Sequence, residues 1–125
     1  MLKKLRALGF AVELEEIYMP APALARSLRQ QNLRPHLLVH SSVLPEFDDL
    51  DIRDPNCVVI GDAGSKFTYD TLNAAFQLLQ SLKSNENVTN SKLFSLGKGR
   101  YYRDQGVLCM DVGPFTAALE LASGV

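Results

Sequence analysis

At 125 residues, 46% hydrophobic and 22% charged, the chain has the size and composition of one globular domain, or one domain with a flanking piece. Its formal net charge of -1 leaves no overall field to attract nucleic acid or an acidic membrane surface, and neither is expected as a partner. No apolar run approaches the ~20 residues of a membrane-spanning helix, and the cations of residues 1–10 interleave with leucines as in an amphipathic helix rather than a signal peptide, so the cytoplasm is the expected compartment, with the nucleus second.

Leu2, Leu5 and Leu8 recur at helical spacing, and Gly9 supplies a left-handed terminus. Pro20 and Pro22 open a second helix, with Leu24, Ala25 and Leu28 on one face and Asn32 at its end. His36 to His40 reads as a short buried strand, Ser41 to Pro55 as an acidic, turn-rich segment, and Cys57 to Ile60 as a second buried strand ending in the turn Gly61-Asp62-Ala63-Gly64. Thr68 is a good N-cap for a helix over Tyr69 to Leu82, whose inward stripe is Leu72, Ala75, Phe76, Leu79 and Leu82. Residues 84–91 read as an exposed loop and Lys92 to Leu96 as a third strand. Tyr101-Tyr102 and Val107 to Met110 form the arms of a hairpin around Arg103-Asp104-Gln105-Gly106. Pro114 starts the last helix, with Phe115, Ala118, Leu119 and Ala122 inward and Gly124 at its end. Strands alternating with helices predict an α/β domain, a small sheet with packed helices.

The run Lys98-Gly99-Arg100-Tyr101-Tyr102 concentrates the chemistry. Arginine offers a planar donor fork for phosphate or carboxylate, and lysine a mobile point charge. The glycines would let the backbone approach a ligand, and tyrosine stacks or donates a hydrogen bond. From the residues alone, a solvated hairpin with rings packed on a sheet explains the run as well as a binding loop does. Asp111 either orients a polar group or caps the last helix. His36 and His40 lie too far apart along a strand to share a metal easily. Cys57 and Cys109 lack metal-ligand spacing and read as buried thiols, and Asn87-Val88-Thr89 as a chance sequon.

Seven segments carry a family resemblance: L-R-A-L-G-F (5–10), A-P-A-L-A-R (21–26), L-R-P-H-L-L-V-H (33–40), D-P-N-C-V-V-I-G-D-A-G (54–64), F-T-Y-D-T-L-N-A-A-F (67–76), S-L-G-K-G-R-Y-Y (95–102) and D-V-G-P-F-T-A-A-L-E (111–120). In this order and spacing they resemble the cap region of haloacid dehalogenase-type phosphatases; only the loop at 84–91 is longer than that pattern. The resemblance implies an α/β cap over residues 33–125 and a remnant of core-linking helices over 1–32. It implies a parent enzyme that hydrolyses phosphohistidine, phospholysine or inorganic pyrophosphate through an aspartyl-phosphate, with Mg²⁺ neutralising the phosphoryl oxygens.

In that family the nucleophilic Asp, the phosphate-holding Ser or Thr and Lys, and the metal ligands lie outside the matched segments. No catalytic residue and no metal ligand is therefore carried onto this chain, which is expected to be inactive alone. Two local patterns are set aside. Asp49-Leu50-Asp51 follows a polar turn rather than an apolar strand. Asp62, after the strand Val58 to Ile60, lacks the second carboxylate that the family's metal motif places about four residues on; Ser65-Lys66 stands there. The substrate-binding residues implied are Lys98, Arg100, Tyr101, Tyr102 and Asp111. A phosphorylated substrate and a homodimer formed through the cap are the implied partners. The competing reading is a non-catalytic short isoform acting as an interaction or dimerisation module.

Overall fold

The computed structural model describes residues 21–84 and 92–125. The helix expected around Leu2, Leu5 and Leu8, and the sequon at 87–89, lie outside the described residues. Helix α1 (Ala21–Gln30) leads to strand β1 (Pro35–Leu38), a 3₁₀ segment (Ser41–Phe47) and strand β2 (Cys57–Ile60). A short 3₁₀ turn (Gly64–Lys66) precedes helix α2 (Tyr69–Ser84). Strand β3 (Leu93–Ser95), the hairpin strands β4 (Tyr101–Asp104) and β5 (Val107–Met110) and helix α3 (Val112–Ser123) complete the order.

The three expected strands share one parallel sheet in the order β1-β2-β3, with Leu37 beside Val59 and Val59 beside Phe94. The central strand explains the layering. Cys57, Val58, Val59 and Ile60 are all fully buried, as a strand covered on both faces requires. Because side chains alternate, Val58 and Ile60 join Ala75 and Leu79 of α2 and Val112 and Leu119 of α3. Cys57 and Val59 face the other way, onto Leu24, Ala25 and Leu28 of α1 and onto Phe47. Helix α1 thus shares a core with the sheet. Burial also pushes the Cys57 thiol up to about 11. Cys109, expected inside as well, is only half-buried, because β5 belongs to the separate two-stranded sheet rather than to the core.

Local chemistry sets the boundaries. Asn32 takes positive φ (55°) to close α1, and the Leu33 N–H bonds the Leu28 carbonyl at 3.0 Å. Thr68 and Thr71 cap α2 reciprocally: each backbone N–H donates to the other's hydroxyl, at 3.0 and 3.1 Å. The hairpin turn is tighter than expected. Arg103 and Asp104 continue β4, and Gln105 and Gly106 alone make the turn with φ of 51° and 80°, the positive values that match the twist of paired strands.

The inward face of α2 is the expected one, whereas that of α3 is rotated. On α2, Ala75, Leu79 and Leu82 are buried, and Leu72 and Phe76, partly covered, pack against the same core at its edge. Helix α3 begins at Val112 rather than Pro114 and buries Val112, Thr116, Leu119 and Ser123, while Ala118 and Ala122 are exposed. The polar pair can go inside because each hydroxyl donates to the carbonyl four residues back, Thr116 to Val112 at 3.0 Å and Ser123 to Leu119 at 2.6 Å. Phe115 is displaced to the margin, stacked on Phe67 with ring centroids 4.0 Å apart. Among the described residues no helix is long and apolar enough to cross a membrane.

Candidate functional site

The segment from Leu96 to Arg100 leaves the end of β3 and is fastened at both ends. The Leu96 N–H donates to Ile60 at 2.9 Å. At the other end, Asp111 N–H donates to Arg100 O at 3.2 Å and Gly113 N–H to Gly99 O at 2.8 Å. Between them the Ser95 hydroxyl donates to Gly97 O at 2.5 Å and lies 3.2 Å from the Thr116 hydroxyl. The loop is therefore held onto the first two turns of α3.

The glycines of this segment and of the start of α3 sit where a side chain would collide. A Cβ on Gly99 would collide with the Asp111 carboxylate, and one on Gly97 would lie 3.3 Å from Val112. A Cβ on Gly113 would sit 2.5 Å from Gly99 O and 2.8 Å from Lys98 O. Their lack of side chains lets the loop lie close against the start of α3.

Pairing in the hairpin divides the five residues singled out from the sequence. Tyr101 faces Met110 across the ladder and Tyr102 faces Cys109, so the two tyrosines point to opposite faces. Lys98, Arg100 and Tyr101 come together around a cavity of about 540 Å³. Tyr102 does not line it. Its hydroxyl is pushed up chiefly by the charge of Asp62. Asp111 does not line the cavity either: it is the N-cap of α3, its Oδ1 accepting from Val112 N–H at 2.7 Å.

The sequence reading missed the rest of the wall: Ser95, Met110, Gly113, Pro114, Thr116, Ala117 and Glu120. The available signal was the spacing Gly113, Ala117, Glu120, which marks one side of a helix.

Several other acidic and imidazole groups are engaged locally. Asp49 pairs with Arg29, whose guanidinium holds its carboxyl below the usual range. Asp51 Oδ1 accepts from Arg53 N–H at 2.9 Å and from its Nε at 3.1 Å, which lowers its carboxyl likewise. Asp62 Oδ1 accepts from Gly64 N–H at 3.2 Å. His40 Nδ1 caps the 3₁₀ segment at Ser42 N–H, and burial lowers His36. Among the described residues no three His, Cys, Asp or Glu side chains converge as a metal-ligand set.

No protein-family model matches the chain. Its fold is that of a 4-nitrophenylphosphatase from Thermotoga maritima, with a TM-score of 0.67 at 21% identity over 99% of this chain and 46% of that one. It is also 38% identical, over 98% of its length, to haloacid dehalogenase-like hydrolase domain-containing protein 2 of Rattus norvegicus, covering 44% of that protein. The chain belongs to the haloacid dehalogenase-type phosphatase family and has an α/β fold of its cap type. Within the family it is similar to the phospholysine phosphohistidine inorganic pyrophosphate phosphatase of Bos taurus, at 53% identity over 97% of this chain. The chain spans less than half the length of these relatives, 43% and 44%.

Proposed function

We propose that the chain is the cap and substrate-specificity portion of a magnesium-dependent phosphatase acting on phosphohistidine, phospholysine or inorganic pyrophosphate. Residues 33–125 form the cap in this reading, and residues 1–32 link it to a catalytic core, with α1 docked on the cap sheet. The nucleophile and the magnesium belong to that core. The cap's own work is to bind and orient the phosphorylated group and to exclude water on closure. A cytoplasmic location goes with this reading.

The observation that carries it is the gathering of Lys98, Arg100 and Tyr101 around one cavity, on a loop held by backbone hydrogen bonds to α3. A fixed loop presents its cations at a defined place, which lowers the ordering cost of binding an anion. Titration of the chain with pyrophosphate, followed by amide NMR shifts, tests it. The shifts should centre on residues 95–101 and 113–120, and Arg100→Ala should weaken binding roughly threefold to tenfold, the range for one solvent-accessible charge-assisted contact. Equal affinity in the two proteins would leave the loop a solvated connection with no part in recognition.

A second reading, self-association through the cap, is favoured by the hairpin. Tyr101, Val107, Leu108 and Met110 are 57–62% exposed there, an unusual density of large apolar groups on one two-stranded element. This surface would serve a homodimer of the enzyme, and equally a chain acting as a non-catalytic dimerisation module. Light scattering should give twice the 13.8 kDa chain mass, and Leu108→Glu should return it to the monomer value. A monomeric parent protein at high micromolar concentration removes the proposal.

A further inference from the structure

We infer that the free edge of β3 takes an extended segment of another protein as a fourth strand, with an acidic side chain of that segment at Arg100. Nothing in this pairing depends on the proposed phosphatase activity.

Strand β3 is last in the order β1-β2-β3, so one of its edges has no neighbouring strand among the described residues. Which main-chain groups point there follows from the bonds on the other edge. The Val58 N–H donates to Lys92 O at 3.0 Å and the Leu96 N–H to Ile60 O at 2.9 Å, so Lys92 and Leu96 turn toward β2. Successive residues of a strand bond to alternate sides, which leaves Leu93 and Ser95 turned outward, each with an N–H and a carbonyl. An unpaired main chain of this kind is a template for a further strand. The opposite edge of the sheet is blunted. There the Leu38 carbonyl accepts from Gly61 N–H at 3.0 Å, so Pro35, Leu37 and Val39 face outward. Pro35 has no N–H to offer, and the Lys66 ammonium stands 3.5 Å from Val39 O. The run Leu93-Phe94-Ser95 has neither a proline nor a charged side chain to discourage pairing.

A groove lies along β3. Two cavities of about 380 and 540 Å³ share Ser95, Lys98, Thr116 and Glu120; the first reaches back to Leu93 and the second on to Arg100. Charge selects the occupant. Lys98 is already engaged within the protein. Among the described residues, however, no carboxylate pairs with the Arg100 guanidinium, so its donor fork is left for an acid brought by the added strand. A second copy of this chain fits the edge less well. Two β3 edges pairing antiparallel about a two-fold axis bring the loop of Lys98 and Arg100 of each copy toward Lys92 of the other, cation against cation.

Amide hydrogen exchange of the 125-residue chain tests the edge first. Leu93 and Ser95 should exchange at least about tenfold faster than Leu96, whose N–H is bonded to β2. The probe is then a short blocked peptide of alternating threonine and valine ending in aspartate, at millimolar concentration. It should shift residues 92–96 in amide NMR spectra and slow exchange at Leu93 and Ser95. Methylating the backbone nitrogens of the peptide should abolish binding, and lysine in place of its aspartate should weaken it roughly threefold to tenfold. Arg100→Ala should erase that acid preference and leave the effect of N-methylation. Protection of Leu93 and Ser95 in the free, dilute chain overturns the inference, as does absence of binding, binding that survives N-methylation, or an acid preference that survives Arg100→Ala. Protection that grows with chain concentration in the absence of peptide overturns it too, by placing a second copy on the edge.

Discussion

Phe47→Ala should cost about 3–5 kcal/mol of folding stability, the range for emptying a well-packed aromatic site. Phe47 ends the 3₁₀ segment and is 1% exposed, packed with α1 and with Val59 on one face of the sheet. Nothing local accounts for its burial: its neighbours Glu46 and Asp48 are exposed. The ring closes the space between α1 and β2, so its loss opens a cavity that rigid elements on both sides cannot fill. Urea unfolding should show the midpoint falling with an unchanged slope, since the unfolded surface is the same. Phe76→Ala is the comparison. That ring is only partly covered, so a smaller loss is expected than for a fully buried phenylalanine. A cost for Phe47→Ala below about 1 kcal/mol, or one smaller than that for Phe76→Ala, would mean the assignment of this face is wrong.

Gly113→Ala should both destabilise the domain and disable the cavity. The added methyl would lie 2.5 Å from one backbone oxygen and 2.8 Å from another, and backbone yields less readily than a side-chain tip. Overpacking of this kind costs about 1–3 kcal/mol. Relief requires the loop to move off α3, which breaks the Gly113–Gly99 hydrogen bond and carries Lys98 and Arg100 away. Pyrophosphate binding should therefore fall at least as far as in Arg100→Ala. Gly106→Asn is the control: Gly106 has φ of 80° but open space around it, and asparagine tolerates that conformation. Unaltered binding and stability in Gly113→Ala would show that the loop is not held as described.

Much of the frame was legible before the fold. The run Cys57 to Ile60 is apolar and short, bounded by turns, and it became the central strand. Leu24, Ala25 and Leu28 repeat at helical spacing and are the buried residues of α1. Gly124 ends α3 in the left-handed conformation, as its place after an apolar stripe suggested. The family, too, was readable from seven short segments in order. Such features depend on the chain's own periodicity, on the conformational range of glycine, asparagine and proline, and on which side chains water excludes.

The candidate site was less legible because its parts are not neighbours in the chain. Sequence order brings Lys98, Arg100, Tyr101 and Tyr102 together. Strand alternation then sends Tyr102 to the face opposite Tyr101, and Asp111 is taken up as a helix cap. The face of α3 that lines the cavity follows from burying Thr116 and Ser123, which internal hydrogen bonds permit and hydrophobicity alone would not have suggested. Glu120 joins Arg100 at one cavity only because Gly99 and Gly113 lack side chains and let loop and helix meet. Residue order and local chemistry settle which elements form. Where two elements touch is settled by excluded volume and by hydrogen bonds between distant residues, and here that contact shapes the candidate cavity.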